Sequence, residues 1–252
     1  PRVRRQRQMC IRDRDYEFRL WNGKALAEIN CPYANEAVSV KKWAFAADFL
    51  RNYVVYKYGG IWLDTDIEVF KSFDPFLNNR MFIGAEANFH GLPKKRYVTS
   101  HCFGAEAGHP FLKLCVDYYI NRHFIHSTNE ELPLTFRYDM QLILPEIHGK
   151  ILVDNYGYNA DGYQDQDQVL KDGIHIYPSD YFDSPRYNTM KNVVCIHRAQ
   201  GGWRPNSNAG EFDYSSTNAA KKNLYYYIFQ LYDKLNGFSY KYLGFGISKG
   251  KR

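Results

Sequence analysis

Two carboxylates one residue apart, Asp64 and Asp66, close the stretch Tyr58-Gly59-Gly60-Ile61-Trp62-Leu63-Asp64-Thr65-Asp66. In an extended segment side chains alternate, so Trp62, Asp64 and Asp66 should face one way and Ile61 and Leu63 the core. Two acids on one face at the end of a buried strand repel each other and lose hydration, which is unfavourable unless a cation or donors compensate. Hard oxygen ligands suit Mg²⁺ or Mn²⁺, which keep positions open for phosphate oxygens. Asp-x-Asp also describes two exposed turn aspartates; the apolar strand and the Gly-Gly turn before it sharpen the signal. One helix upstream, Asp48 and Arg51 lie three apart and share a face. By spacing alone they are a local ion pair. His197 shares a strand face with Cys195 and Val193 and, taken alone, reads as a structural histidine.

The elements that must position these groups follow from periodicity. Glu17–Trp21 alternates around Phe18 and Leu20 and predicts a short strand. From Asn35 to Tyr58 apolar residues recur at helical spacing, giving one long or two shorter helices that Gly59-Gly60 stops. Strands are expected at Ile61–Asp64, Ile67–Phe70, Arg80–Glu86, Val98–Gly104, His175–Tyr177 and Asn192–His197. Helices are expected at His109–Arg122, Tyr138–Ile147 and Glu211–Asn236, and a polar loop at Asp154–Gly173. Asp165-Gln166-Asp167 falls in that loop and reads as a solvated turn. Strands interleaved with helices argue an α/β domain around a mainly parallel sheet.

The chain has 252 residues, 45% of them hydrophobic and 24% charged, which excludes wholesale disorder. No apolar run approaches the roughly 20 residues of a membrane span. The formal net charge is +6. Six arginines against Asp13 put +5 of it in residues 1–14, leaving +1 elsewhere, so the charge does not indicate a nucleic-acid partner. Gln8-Met9-Cys10-Ile11-Arg12-Asp13-Arg14 resembles a translated sequencing-library adapter, so residues 1–14 are read as a non-native segment. The five cysteines (Cys10, Cys31, Cys102, Cys115, Cys195) show neither paired nor metal-ligand spacing and read as reduced thiols of a cytosolic protein.

Ala44-Phe45-Ala46-Ala47-Asp48-Phe49-Leu50-Arg51 followed by Tyr58–Asp66 resembles the sugar-binding DXD region of family 32 glycosyltransferases, which share their core with the glucosylating clostridial toxins. The likeness continues through Gly104–Pro110, Ile176–Phe182, and Ile196-His197 followed by Gly202-Trp203. It implies a GT-A fold, a single nucleotide-binding domain with a mainly parallel mixed sheet and flanking helices, over residues 15–210. It also implies an enzyme that moves a hexose, with retention, from a nucleotide-sugar (a UDP-hexose first) to a saccharide acceptor, by default a surface or lipid-linked glycan in a bacterium. By the same resemblance Asp64, Asp66 and His197 would hold Mn²⁺ or Mg²⁺. Asp48, Arg51 and Trp62 would contact the donor, and Trp203 would close over it. Asp139 and Gln141 are the catalytic candidates, on the start of a helix in the acceptor half.

Residues 211–252 are expected to make a final helix and basic tail. Its aromatic face (Leu224, Tyr225, Ile228, Phe229, Leu231, Tyr232) is read two ways, as a peripheral contact with the inner membrane or as packing on the catalytic domain. Nothing before Asp15 matches the Ile-Pro-Lys-like first strand of the family. The expectation is a chain truncated at its start, weakly active or inactive. Three rivals stand beside the transferase. A glycosidase would use two carboxylates across a sugar, but residues 64 and 66 on one strand face are too close to flank a glycosidic bond. A haloacid dehalogenase-type phosphatase also places Asp-x-Asp at a strand end, but wants Thr or Val where this chain has Glu68. A non-catalytic sugar-binding remnant would bind sugar without metal.

Overall fold

The computed structural model describes residues 16–86, 96–138, 142–161, 165–183 and 191–197. The chain enters through two short helices, α1 (Gly23–Ile29) and α2 (Pro32–Ser39), and then the longer α3 (Trp43–Tyr58). Asn22 caps α1 by accepting from Lys24 N and Ala25 N, and Pro32 occupies the first turn of α2, where its missing N–H is not needed. Along α3, Phe45 and Phe49 recur at four residues, as do Ala46, Leu50 and Val54, and this face is buried. Gly59 ends α3 with φ +68° and its N–H on the Val55 carbonyl. A Cβ there would lie 2.9 Å from the Ala107 backbone nitrogen, so only glycine allows the turn and the close approach together.

Strand β1 (Gly60–Leu63) leaves that turn, followed by β2 (Ile67–Val69), β3 (Met81–Ala85) and β4 (Val98–Ala105). Helices α4 (Pro110–Ile120), α5 (Leu134–Arg137) and α6 (Leu144–Tyr156) come next, then β5 (Gln168–Val169), β6 (Ile174–Tyr177), α7 (Ser179–Phe182) and β7 (Cys195–His197). The main sheet has the order β1-β4-β3-β6-β5, and β2 pairs with β7 in a separate two-stranded sheet. Side chains alternate between two cores. Met81, Ile83 and Phe103 enter the larger one, with Phe49, Leu112 and Leu152 from the helices. Phe82 and Cys102 enter the smaller, with Phe73, Phe76, Phe182 and Cys195. Strands buried on both faces account for their near-continuous apolar character.

The architecture is α/β, but the expected mainly parallel sheet is corrected. Among the described residues only β3 and β6 run parallel; β1–β4, β4–β3 and β6–β5 are antiparallel. Alternation of strands and helices implies parallel pairing only when each helix bridges neighbouring strands of one sheet. Here α4 to α6 lie between β4 and β5, which are not neighbours in the sheet, while β3 and β4 are consecutive and antiparallel and β2 leaves for the second sheet.

Other expectations also change. Residues 17–21 form no strand: Phe18 and Leu20 are exposed and unladdered, and Trp21 instead stacks on Tyr58 at 5.3 Å. The helix expected at Tyr138–Ile147 begins at Leu144, because Pro145 fits a first turn and not an interior. It then runs into the stretch expected as loop, to Tyr156, where Gly157 at φ +77° stops it. In Asp165-Gln166-Asp167, Gln166 and Asp167 are exposed as a solvated turn requires, but Asp165 is half-buried and bonded. Asp165 Oδ1 accepts the Ser179 N–H at 2.9 Å and caps α7, Oδ2 lies 3.5 Å from buried Arg96, and Asp167 bonds His175 at 2.6 Å. Cys31, Cys102, Cys115 and Cys195 are buried free thiols. Among the described residues no helix is long and apolar enough to cross a membrane. Asp139, Gln141, Trp203 and the expected helix Glu211–Asn236 lie outside the described residues.

Candidate functional site

The strand that carries the acids stops at Leu63, so alternation orients Trp62 and Asp64 but not Asp66. The Asp64 N–H is fixed by the His101 carbonyl at 2.9 Å, and Trp62 Nε1 donates to Asp64 Oδ1 at 2.7 Å. Asp66 comes to the same place by a tight turn, closed by the Ile67 N–H donating to the Asp64 carbonyl at 3.1 Å. Strand β2 starts immediately after this turn, and Ile67 is registered opposite His197 on β7. The small second sheet therefore delivers His197 to the turn, with Nε2 3.3 Å from Asp66 Oδ2. One ligand atom each from Asp64, Asp66 and His197 falls within 4.8 Å of the others.

Beneath the turn lies Arg51, 6% exposed. Its Nη1 donates to the Ser100 carbonyl at 2.7 Å and to Asp64 Oδ2 at 3.2 Å, and Nη2 lies 3.2 Å from Asp48 Oδ1. Its guanidinium carbon also sits 5.6 Å from the centre of the Trp62 ring. The local Asp48–Arg51 pair expected from spacing is thus present, and it extends to Asp64. Burial pushes the Asp48 carboxyl up to about 7; Arg51 pulls it down, and Asp64 adds to the rise. Burial works against the Arg51 charge, but Asp64 and Asp48 outweigh it and hold the guanidinium protonated.

Sequence reasoning missed three groups. His101, 5% exposed on β4, stacks on His197 with centroids 4.1 Å apart and planes at 20°. Asp183, after α7, lies 4.0 Å from His101 Nε2, and with His197 these two form a second convergent set. Glu86, at the exit of β3, lines the same cleft; burial, then the Asp183 and Glu146 carboxylates, push it up to about 8. The signal for His101 was available as a polar residue inside an apolar strand, whereas Asp183 and Glu86 each sit one residue past an element and carry no periodic mark. Burial lowers His197, but the Asp66 hydrogen bond and the Asp66, Asp183 and Asp64 charges more than offset it, so its pKa lies above the ordinary histidine value.

All these groups line one cleft of about 1160 Å³, together with Trp43, Ser100, Leu144 and Pro145. Carboxylates outnumber guanidinium groups on its walls, so an anionic ligand entering it needs added positive charge. A carboxylate pair with an adjacent imidazole is a donor set for a divalent cation that retains open positions.

A family described as the glycosyltransferase sugar-binding region containing the DXD motif matches residues 1–83. Inositol phosphoceramide mannosyltransferase 3 of Schizosaccharomyces pombe is 28% identical over 122 residues, covering 45% of this chain and 32% of that protein. The chain therefore aligns with about a third of the length of that relative. No solved structure matches. The family match and the mannosyltransferase likeness both support a glycosyltransferase, and the α/β architecture is compatible with one.

Proposed function

We propose that the chain is the donor-binding part of a metal-dependent hexosyltransferase that uses a nucleotide-sugar, of the GT-A type and retaining. The observation that carries this reading is the convergence of Asp64, Asp66 and His197 within 4.8 Å on the wall of the main cleft. The donor set fits Mn²⁺ or Mg²⁺: two hard carboxylate oxygens and an imidazole, with room left for phosphate. His197 Nε2 and Asp66 Oδ2 already face each other at 3.3 Å, so both ligand atoms are directed at the same point. When bound, the cation supplies positive charge that offsets the charge growing on the leaving diphosphate.

The remaining work belongs to the chain's own residues. Arg51 fixes Asp64 and Asp48 at once, so the acids are oriented before any ligand arrives, and preorganised dipoles need no rearrangement during reaction. Asp48, on the cleft wall and poised near neutrality, accepts from or donates to donor-sugar hydroxyls. Trp62, held by its bond to Asp64 and by Arg51 across its ring, offers an apolar face against the nucleotide-sugar. Trp203 in the closing role is proposed from the resemblance, and Asp139 and Gln141 in catalysis from their place in the sequence alone. The acceptor is a sugar hydroxyl of a glycan or glycolipid, and contact with a membrane surface through residues 211–252 belongs to the same reading.

The test is release of nucleotide from UDP-glucose, UDP-galactose, UDP-N-acetylglucosamine and GDP-mannose, with Mn²⁺ and with chelator. GDP-mannose is included because the fission-yeast relative is named a mannosyltransferase. Metal-dependent turnover or binding of one donor supports the reading. Sugar binding that ignores metal favours a non-catalytic sugar-binding protein, and phosphate release from simple esters favours a phosphatase.

A further inference from the structure

His101 touches the candidate site at three points. Its carbonyl accepts the Asp64 N–H, its ring lies face to face with His197, and its Nε2 is 4.0 Å from Asp183 Oδ1. That Nε2 is also 2.9 Å from the Phe182 carbonyl oxygen, which can only accept, so the imidazole donates there and its rotation is fixed. Burying an imidazole is costly unless its polar atoms are bonded, and a leucine or phenylalanine would fill the same space without that cost. His197, in contrast, rides on β7, a three-residue strand paired with the equally short β2, so its backbone alone constrains the ring weakly.

The geometry points to His101 as a positioning residue that sets the plane of the His197 ring, and hence the direction of its ligating nitrogen toward the Asp64–Asp66 turn. This rests on the reading of Asp64, Asp66 and His197 as cation ligands. Residues behind a metal ligand fix its ring orientation, and their loss typically weakens metal affinity about 10–100-fold. The stack does here what a carboxylate or carbonyl does behind many ligating histidines, since His101 takes its own orientation from Phe182 and passes it on through ring contact.

The test is calorimetric titration of Mn²⁺ into the full chain, its His101→Phe and His101→Leu variants, each with its unfolding temperature. His101→Phe keeps a flat ring and loses the bond to Phe182; its melting temperature should fall while its affinity stays within about threefold of the parent. His101→Leu fills the space without a plane, and its affinity should fall about 10–100-fold. If His101→Leu does not fold, His101→Gln, which can donate to Phe182 but has no ring, should show the same loss. Parent-like affinity in His101→Leu or His101→Gln would overturn the positioning role, as would an equal loss in His101→Phe. A parent chain that binds no Mn²⁺ overturns the cation reading and this inference with it, whereas a binding parent with an indifferent His101→Leu overturns this inference alone.

Discussion

Replacing Asp48 by Asn removes one ionisable group with almost no change in volume, from a side chain 15% exposed. Burial, which outweighs the nearby Arg51, raises this carboxyl to about 7 in the folded protein. In the unfolded chain it titrates near 3.9. Between those values the folded form holds a proton that the unfolded form has lost, so stability falls as pH rises through this window and levels off above about 7. Asparagine does not titrate, and its Oδ1 can still accept from Arg51 Nη2. Arg51 also keeps Asp64 and the Ser100 carbonyl. A shift of about 3 units at ~1.4 kcal/mol each gives an upper bound of ~4 kcal/mol, and relaxation around the charge brings the expectation to about 2–4 kcal/mol. The variant should therefore match the parent near pH 4 and exceed it near pH 8 by that amount, on the order of 5–15 °C in melting temperature.

The assay is urea unfolding of both proteins at several pH values between about 4 and 8, taken as a difference. Titrations common to both, such as those of Glu86, His101 and His148, then cancel. A pH-independent difference would refute the reasoning by showing burial and the Arg51 pairing in balance, and a variant that loses ground as pH rises would refute it by showing that the pairing outweighs burial. The more stable variant should also bind a nucleotide-sugar less well, the usual sign of a functional group kept at a cost in stability.

Three further outcomes follow from named contacts. Gly59→Ala should destabilise by about 2–4 kcal/mol in denaturant unfolding, because φ +68° and a Cβ 2.9 Å from the Ala107 nitrogen oppose it together. His148, fully buried with Nε2 2.7 Å from Asn52 Oδ1, is pushed by burial down to about 3, with Arg51 acting the same way. Between about pH 6.5 and 3 the unfolded chain binds the extra proton, so stability should fall with acidification, and His148→Gln should flatten that limb by up to ~1.4 kcal/mol per pH unit. Asp165→Ala should remove the cap of α7 and one partner of Arg96, costing about 2–4 kcal/mol and raising the proteolytic sensitivity of residues 161–179.

Local chemistry was the part of the fold most legible in the sequence. Gly59-Gly60 marked the end of α3, Pro110 the start of α4, and the apolar run Ile61–Leu63 the strand before the acids, because each signal acts within a few residues. Sheet direction was not legible, since it depends on which strands a crossover joins and not on their order along the chain. The same limit hid the route by which Asp66 reaches Asp64: alternation predicted a shared face, while the structure uses the Ile67-to-Asp64 turn bond and then β2. The resemblance brought Asp64, Asp66 and His197 together, and the register of Ile67 with His197 supplies the physical reason. Asp165 was misread because its partners, Ser179 at the start of α7 and Arg96 before β4, lie well away from it in sequence.

The central claim is most directly tested by Mn²⁺ titration followed by electron paramagnetic resonance, on the parent chain and on Asp64→Asn, Asp66→Asn and His197→Ala. The account predicts one bound Mn²⁺ per chain, tightened by added UDP or GDP, with affinity lowered at least about 10-fold in each variant. Free-ion spectra in the parent at every concentration, or binding that all three variants retain, would contradict it.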